Sequence, residues 1–272
     1  NYALTSDEVK LDYNRGATQV LGSLSDTSKL TGGSIASNSA SAEYCIPGDT
    51  VNCNSPIGRW DFEENNGNTV NDSSGNGNTG TWNGTLGSQW KQGKVGWGGN
   101  FNSVNTNIVN LGNPAALNFG TNSFTYSLWV YVTKSTGGWD MPWHKGGASA
   151  GDIGYDMELG TGVWNPVISD GTTVKTGAFG NEVLNQWVYL TAVIDKNNNK
   201  LYSYKNGALT GTTDITDFGS VSGGTSAAIG GRTSYYFNGK VDQVRVYNYA
   251  RTPTQVAWDY NRGAPVAWWK FD

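Results

Sequence analysis

The sequence predicts an all-β sandwich, and composition and patterning together support this fold class. Charged residues make up only 15% of the chain, whereas Gly numbers 38, Tyr 14 and Trp 12. Runs of β-branched and aromatic residues alternate with stretches dense in Asn, Ser, Thr and Gly, which is typical of short strands joined by tight turns. The length of 272 residues suits one domain of about 200 residues with flanking segments.

A duplicated segment indicates how the chain is organised. Asn1–Ala17 returns as Asn248–Ala264 with 11 of 17 positions identical, and Pro56–Glu63 returns in altered form as Pro265–Asp272. We therefore expect a slice of a tandem-repeat array, a design that commonly serves display, adhesion or assembly. The expected parts are the end of a preceding repeat (1–17), a Ser/Thr/Gly-rich connector (18–55), one complete unit (56–264) and the first strand of a following repeat (265–272).

Each end segment is predicted to carry a short helix. In the motif Thr252-Pro-Thr-Gln255, Thr252 can cap a free amide, Pro253 suits the first helical position and Gln255 can reach back. The earlier copy, Thr5–Glu8, has the same capping box. Gly263 in one copy and Gly16 in the other can end the helix.

Strands are expected from Ile57 onward at the spacing of a sandwich. Phe124–Val132 has the longest apolar alternation and should be a central strand, and Asn206-Gly207 predicts a hairpin turn. Trp60, Trp129 and Trp187 are expected in the core. The expected strands are Ile57–Glu64, Phe124–Val132, Gln186–Asp195, Lys200–Leu209, Ala227–Arg232 and Phe237–Tyr247.

Six motifs occur in the order expected of laminin-G-like domains, and the chain resembles that family over about Pro56 to Ala264. The family belongs to the concanavalin A-like lectin/glucanase superfamily, so the resemblance implies a two-sheet antiparallel jelly roll whose first and last strands pair. It also implies ligands on loops or on the concave face, and often a calcium ion near that seam. The fold does not imply one function. The motifs are Trp60–Glu64, Asp72–Gly80, Phe124–Val132, Trp187–Asp195, Tyr204–Gly207 and Gly239–Tyr247.

The loop Asn71–Gly80 is the best candidate for a metal site. Calcium binds about six to eight oxygen atoms, and Asp72, Asn76 and Asn78 offer side-chain oxygens. The family pattern places an acidic ligand in the closing strand, where Asp242 lies, and Glu64 ends the first expected strand. The resemblance therefore implies a structural Ca²⁺ ion. The alternative is an ordinary Asx-rich turn with two unrelated carboxylates.

The aromatic segment Trp139–His144 is predicted to form a ligand-binding loop after the central strand. Trp164 lies in a second loop-like stretch. Sugar sites combine aromatic rings with carboxylate and amide partners for hydroxyl groups. The alternative is that these aromatics are buried in the core, and Trp82, Trp90 and Trp97 compete for the role. The candidate ligand-binding residues are Trp139, Asp140, Trp143, His144, Asp156 and Trp164.

The sequence does not favour catalysis. Laminarinase-like members of the superfamily place two glutamates around an aspartate on one strand. This chain contains neither Glu-x-Asp-x-Glu nor Glu-x-Asp-x-x-Glu, and Asp152–Glu158 has a different order and spacing. We interpret Asp152–Glu158 as the solvated edge of a strand or loop. His144, the single histidine, has no Ser or Cys partner in its sequence context.

Cysteine usage and charge limit the compartment and the partners. Cys45 and Cys53 flank a Pro47-Gly48 turn, which suits a disulfide in an oxidising compartment, although two free thiols are the alternative. A net charge of −4 without a basic stripe argues against a nucleic-acid partner. The absence of a run of about 18 apolar residues argues against a membrane span. We expect an extracellular or cell-surface location.

Two functions follow from these observations. The first is a non-catalytic laminin-G-like module of a bacterial-type surface protein, which binds a glycan or another surface ligand and holds a structural calcium ion. The alternative is a structural repeat that self-assembles into a cell-surface filament or stalk. In that case the apolar segment Pro265–Asp272 would be an unpaired strand that adds to a neighbouring molecule.

Overall fold

The computed structural model describes residue 44 and residues 54–261, apart from residues 136, 148 and 224. The chain divides into two compact units, one formed by Pro56–Arg251 and one by Asn1–Ser55 with Thr252–Asp272. Segments 1–17 and 265–272, Cys45 and Cys53 lie outside the described residues. The N-terminal helix, the disulfide and the terminal strand therefore stay predictions.

Pro56–Arg251 is built from short antiparallel strands that form two large sheets and one small hairpin. In chain order they are β1 (Gly58–Trp60), β2 (Thr69–Val70), β3 (Gly80–Asn83), β4 (Trp90–Gln92), β5 (Trp97–Phe101), β6 (Ile108–Gly112), β7 (Phe124–Val132), β8 (Trp139–Gly146), β9 (Ile153–Gly160), β10 (Val163–Asp170), β11 (Val174–Thr176), β12 (Gly180–Asn181), β13 (Trp187–Asp195), β14 (Lys200–Lys205), β15 (Ala208–Asp214), β16 (Ala227–Ile229), β17 (Gly231–Arg232), β18 (Tyr235–Tyr236) and β19 (Gly239–Tyr247). A 3-10 turn, Ala115–Leu117, precedes β7.

The eight-stranded sheet, here sheet I, has the order β15-β14-β13-β7-β19-β5-β4, and β1 pairs with β19 at its side. The nine-stranded sheet, here sheet II, has the order β11-β10-β9-β8-β16-β6-β3-β2, and β12 pairs with β10. Strands β17 and β18 form a separate two-stranded hairpin. This arrangement is the all-β jelly-roll sandwich that the sequence predicts.

The core lies between the inner faces of the two sheets and is rich in aromatic rings. Trp60 of sheet I contacts Trp143 of sheet II with ring centroids 5.7 Å apart. Tyr126 and Tyr155 meet across the sheets at 5.1 Å. Such tilted aromatic pairs stabilise a core beyond the effect of their buried area. The aromatic residues therefore tie sheet I to sheet II along the length of the sandwich.

The seam between the first and last strands is present as expected. Gly58 pairs with Val246 and Trp60 with Val244 in the β1–β19 register. Strand β7 has the predicted bounds, Phe124–Val132, and lies between β13 and β19 in sheet I. Asn206 and Gly207 both adopt positive φ, 52° and 78°, as a tight hairpin turn requires.

Two expectations about the fold are wrong in detail. Trp60 and Trp129 are buried, but Trp187 is only partly buried. Its ring packs edge-on against Tyr131 at 5.5 Å, and the Lys240 ammonium lies 5.1 Å from its centroid. Trp139–His144 and Trp164 lie in strands β8 and β10, where the sequence predicts loops.

The predicted capping box is confirmed at the start of helix α1 (Pro253–Asn261). The Gln255 amide donates to Thr252 Oγ1 at 3.2 Å, and the Thr252 amide donates to Gln255 Oε1 at 3.1 Å. The two side chains thus satisfy two backbone donors that the first turn leaves free. Among the described residues, no helix is long and apolar enough to cross a membrane.

Candidate functional site

The candidate site lies on the outer face of sheet II, the face turned away from the core. In β9, Tyr155, Met157 and Leu159 belong to the core. Because side chains alternate along a strand, Asp156 and Glu158 point to the outer face. In the register of β8 and β9, His144 is opposite Asp156, so both side chains share that face.

A pocket of about 400 Å³ lies on this outer face at His144. It is polar, because three hydroxyl-bearing side chains surround one guanidinium, one imidazole and one phenol. Strand β8, the segment before β16 and the β17–β18 hairpin supply its walls. The lining residues are His144, Gly146, Thr225, Ser226, Arg232, Thr233 and Tyr235.

His144 is a neutral group in the pocket wall. Its Nδ1 lies 3.2 Å from the Gly146 carbonyl oxygen, to which it donates. Burial lowers the pKa of His144 to about 4, although the hydrogen bond to Gly146 opposes the shift. At neutral pH the imidazole therefore offers hydrogen bonds without a positive charge.

Arg232 supplies the positive charge of the pocket. Its side chain is 23% exposed, and one terminal nitrogen lies 4.0 Å from an Asp152 carboxylate oxygen. Its guanidinium also lies over the Tyr235 ring, 5.1 Å from the centroid. The buried Nε of Arg232 has no hydrogen-bond partner within the part of the chain that the structure describes. The exposed part of the guanidinium is a charged donor that can reach a ligand oxygen in the pocket.

Glu158 lies two residues beyond Asp156 on the same face of β9. Burial raises the pKa of Glu158 to about 7, and the charge of Arg232 opposes the shift. Asp156 is only 1% exposed, whereas Glu158 retains partial access to solvent. Glu158 is therefore the accessible acceptor of the pair near neutral pH.

The structure separates the sequence-predicted ligand residues. His144 and Asp156 come together on the outer face, and Trp139 remains 47% exposed on the same sheet. Trp143 and Trp164 are fully buried in the core, so their prediction as ligand-binding residues is wrong. Asp140 is fully buried opposite Leu159, a core residue, and does not line the pocket.

The competing aromatics are also sorted by burial. Trp82 is buried and packs against Phe101 at 4.8 Å, whereas Trp90 is partly buried beside it. Trp97 is 39% exposed in β5 of sheet I, away from the outer face of sheet II. None of these three residues lines the pocket at His144.

Sequence reasoning missed Arg232 and Tyr235, which face each other across the β17–β18 turn. The sequence beside them contains the pair Gly230-Gly231, which indicates a turn but not its partner, and both glycines adopt positive φ before the hairpin. A Cβ at Gly230 would lie 1.9 Å from a ring carbon of Phe101, so only glycine fits there. This glycine pair folds the hairpin onto β8 and brings Arg232 to His144.

The predicted calcium loop forms a hydrogen-bonded turn around Asp72. Its Oδ1 accepts from the amides of Arg59 and Ser74, at 3.0 and 2.9 Å. Its Oδ2 accepts from the backbone and side-chain nitrogens of Asn78, at 2.8 and 2.9 Å. Asn76 and Asn78 both direct their side-chain nitrogens to the Ile57 carbonyl oxygen.

The other two predicted metal ligands have partners of their own. Glu64 accepts from the backbone and side chain of Asn71, at 2.8 and 3.0 Å. Asp242 accepts from the Val95 amide at 2.9 Å, in the turn between β4 and β5. The described residues contain no group of three or more His, Cys, Asp or Glu side chains placed to hold a metal. As placed, these five residues do not form a calcium cage, and the calcium site stays a prediction.

Burial dominates the electrostatics of Asp242. It is fully buried, and desolvation raises its pKa to about 7, with Glu63 adding to the shift and backbone amides opposing it. Its Oδ1 has no hydrogen-bond partner within the described ranges. Its other oxygen holds the β4–β5 turn, where a Cβ on Gly93 would lie 2.6 Å away. Asp242 therefore acts as a structural clamp on this turn.

The family model described as the concanavalin A-like lectin/glucanases superfamily, Laminin_G_3, matches residues 98–257. The match spans more than half of the sequence. The chain belongs to this superfamily. No curated protein matches the chain.

Solved structures with this fold include binding domains of toxins and one domain of an arabinanase. The binding domain of Paraclostridial Mosquitocidal Protein 1 has a TM-score of 0.61 at 16% identity, over 76% of this chain and 52% of that chain. A second structure is domain 4 of AbnA, a GH43 extracellular arabinanase from Geobacillus stearothermophilus, solved with arabinotriose. It has a TM-score of 0.52 at 22% identity, over 75% of this chain and 97% of that chain. The botulinum neurotoxin serotype D ligand binding domain, solved with N-acetylneuraminic acid, has a TM-score of 0.54 at 13% identity, over 76% and 50%.

The chain thus spans about half the length of the toxin binding domains that it resembles. At these sequence identities, the similarity shows that this chain and the three solved structures share a fold.

Proposed function

We propose that this chain is a non-catalytic carbohydrate-binding module whose site is the pocket at His144 and Arg232. The observation that carries the proposal is a polar pocket of about 400 Å³ in whose wall the side chain of Arg232, a charged donor, is 23% exposed. A sugar hydroxyl or ring oxygen can accept from this donor, while Glu158 can accept from a second hydroxyl. Tyr235 adds an aromatic ring and a phenol hydroxyl to the pocket lining.

Two structural neighbours support a sugar as the ligand class. Domain 4 of AbnA was solved with arabinotriose and the serotype D domain with N-acetylneuraminic acid. The pocket described here offers the mixture of charged, hydroxyl and aromatic groups that sugar binding requires. We extend the carbohydrate class to this chain on that chemistry, because the identities support the fold alone.

The carboxylates on β9 favour binding over glycoside hydrolysis. Hydrolysis needs two carboxyl groups that both reach the glycosidic bond. Asp156 and Glu158 share a face, but Asp156 is only 1% exposed, so it is not accessible to an anomeric carbon. Gly154, the next outer-face position, has no side chain to replace it. Turnover of a glycan that Glu158→Gln abolishes would overturn this part of the proposal.

A glycan-array screen of the purified full chain tests the proposal directly. We expect binding to at least one sugar class, reduced about tenfold or more in Arg232→Ala. The variant should stay folded, because the partner of Arg232 is the half-exposed Asp152 at 4.0 Å. Lys175→Ala, at a partly buried lysine of strand β11, is the matched control for loss of a cation. Silence of the folded wild type on every sugar class would overturn the proposal.

The proposal also covers the location of the module and the kind of protein to which it belongs. We propose an extracellular or cell-surface location, as part of a tandem-repeat protein, on the basis of the duplicated segments. Self-assembly through Pro265–Asp272 is the alternative function, and its support is the apolar sequence of that segment alone. Light scattering at high protein concentration, with and without residues 265–272, separates the two. A monomer in both cases would remove the alternative.

A further inference from the structure

We infer that the ligand is an oligosaccharide chain, bound along the outer face of sheet II from the pocket at Arg232 to an aromatic subsite at Trp139. This inference rests on the proposed function, because it takes the pocket as the site of one sugar unit. It adds a second subsite and thereby a ligand class: an extended glycan chain in place of a single sugar or a glycan end.

The β8–β9 register places the two subsites on one face. His144 is opposite Asp156 and Trp139 is opposite Gly160. Asp156 and Gly160 are four residues apart in β9, so their side-chain positions share the outer face at a separation of about 13 Å. This distance exceeds the width of a single sugar ring. One sugar unit therefore cannot fill the pocket and reach Trp139 at the same time.

Trp139 is built into the face as a platform. A Cβ at Gly160 would lie 2.2 Å from Cζ3 of Trp139, so the indole lies directly on the bare backbone of Gly160. The ring remains 47% exposed although it rests on the sheet. Val163 and then Asn181 continue this row across β10 and β12. A flat, half-exposed ring suits stacking against the apolar face of a sugar.

Polar side chains fill the stretch between the two subsites. Glu158 lies between Asp156 and Gly160 on β9, and its cross-strand partner on β10 is Asn165. Asn165 donates from Nδ2 to the Val163 carbonyl oxygen at 3.2 Å, which fixes its orientation. Carboxylate and amide oxygens are acceptors for sugar hydroxyls. The pocket, the polar side chains and the Trp139 ring thus follow one another along the face, and they offer contacts to consecutive sugar units.

A ladder of oligosaccharides tests the inference by isothermal titration calorimetry on the full chain. The probes are linear arabino-, cello- and chito-oligosaccharides, each from the single sugar to the hexamer. For the wild type we expect affinity to rise with chain length up to a plateau. Trp139→Ala should lower hexamer affinity about tenfold but change single-sugar affinity by less than about twofold.

Two further variants keep the test decisive. Gly160→Ala retains the indole but displaces it, because the added Cβ cannot coexist with the ring position. We expect it to lower hexamer affinity about threefold or more while the single sugar is unaffected. Trp97→Ala removes a tryptophan of similar exposure from sheet I and should leave the whole ladder unchanged. Thermal unfolding confirms that each variant is folded.

The outcomes separate this inference from the function on which it rests. Length-dependent binding that both Trp139→Ala and Gly160→Ala reduce supports the chain-binding face. Wild-type binding that is independent of length, or a folded Trp139→Ala with unchanged hexamer affinity, overturns the inference and leaves the carbohydrate module intact. If the folded wild type binds no glycan in the ladder or on the array, the proposed function fails and the inference fails with it.

Discussion

The turn at Asp72 and the outer face of sheet II use similar side chains for opposite purposes. Asp72 accepts four hydrogen bonds, three of them from backbone amides. At the outer face of sheet II, the side chain of Arg232 from the β17–β18 hairpin is 23% exposed, and Glu158 is partly open to solvent. A polar cluster whose bonds are directed to its own backbone stabilises the fold. One whose bonds point to solvent is available to a ligand.

The largest effect should come from removing the carboxylate of the Asp72 turn. Asp72→Ala leaves the amides of Arg59, Ser74 and Asn78 without their acceptor, and we expect a loss of about 3 kcal/mol in the free energy of unfolding. Urea unfolding measures this loss. Asp217→Ala, at an exposed aspartate, is the control and should change stability by less than about 0.5 kcal/mol. A similar small change in Asp72→Ala would contradict the structural role of this turn.

The pH dependence of stability should identify Asp242. Its pKa is raised to about 7 by burial, above the unfolded value of about 4. The folded state therefore holds a proton on Asp242 that the unfolded state releases, so the contribution of Asp242 to stability is greatest below pH 4 and is lost as pH rises to 7. We expect Asp242→Asn to flatten this decline by about 2 kcal/mol between pH 4 and pH 8. Parallel curves for the variant and the wild type would show that Asp242 does not carry the dependence.

The raised pKa of Glu158 should make the affinity for a sugar depend on pH. Above a pH of about 7 Glu158 is ionised and accepts hydroxyl hydrogen bonds more strongly. We expect sugar affinity to increase about threefold from pH 6 to pH 8 in the wild type and to stay constant in Glu158→Gln. Asp242→Asn is the matched control, because it alters a carboxylate with the same pKa on sheet I. Equal pH profiles for the wild type and Glu158→Gln would remove Glu158 from the site.

The smallest effect should be that of calcium. Because both Asp72 oxygens already accept amide hydrogen bonds, we expect millimolar calcium to change Tm by less than about 1 °C relative to a chelator. Differential scanning calorimetry in both conditions measures this. A rise of several degrees that Asp72→Asn abolishes would establish the calcium site predicted from the sequence.

Sheet I was largely predictable from the sequence, whereas the middle of sheet II was not. Strand β7 alternates apolar residues without interruption, and its bounds were predicted correctly. Strand β8 contains Pro142 and a register shift between Asp140 and Trp143, and these features break the alternation that marks a strand. Asp156 and Glu158 were interpreted as a solvated edge, although Tyr155, Met157 and Leu159 alternate with them as core residues.

The candidate site was predicted in part for the same reason. His144, Asp156 and Trp139 were named from their residue types, and they share one face of sheet II. Trp143 and Trp164 were named with them, but a residue type does not state which face of a strand it occupies. Arg232 comes from a hairpin 88 positions beyond His144, and nothing local in the sequence indicates that the two residues meet.

The sequence by itself determined the fold class and the capping box of helix α1, and the family resemblance implied the β1–β19 seam. The fold class and the capping box depend on local alternation, turn residues and short-range hydrogen bonds between residues close in sequence. Only the tertiary structure decided which aromatics are buried and which polar groups line the pocket. Burial shifts the pKa values of His144, Glu158 and Asp242, and segments distant in sequence bury these groups. No local sequence pattern encodes the packing of those segments against them.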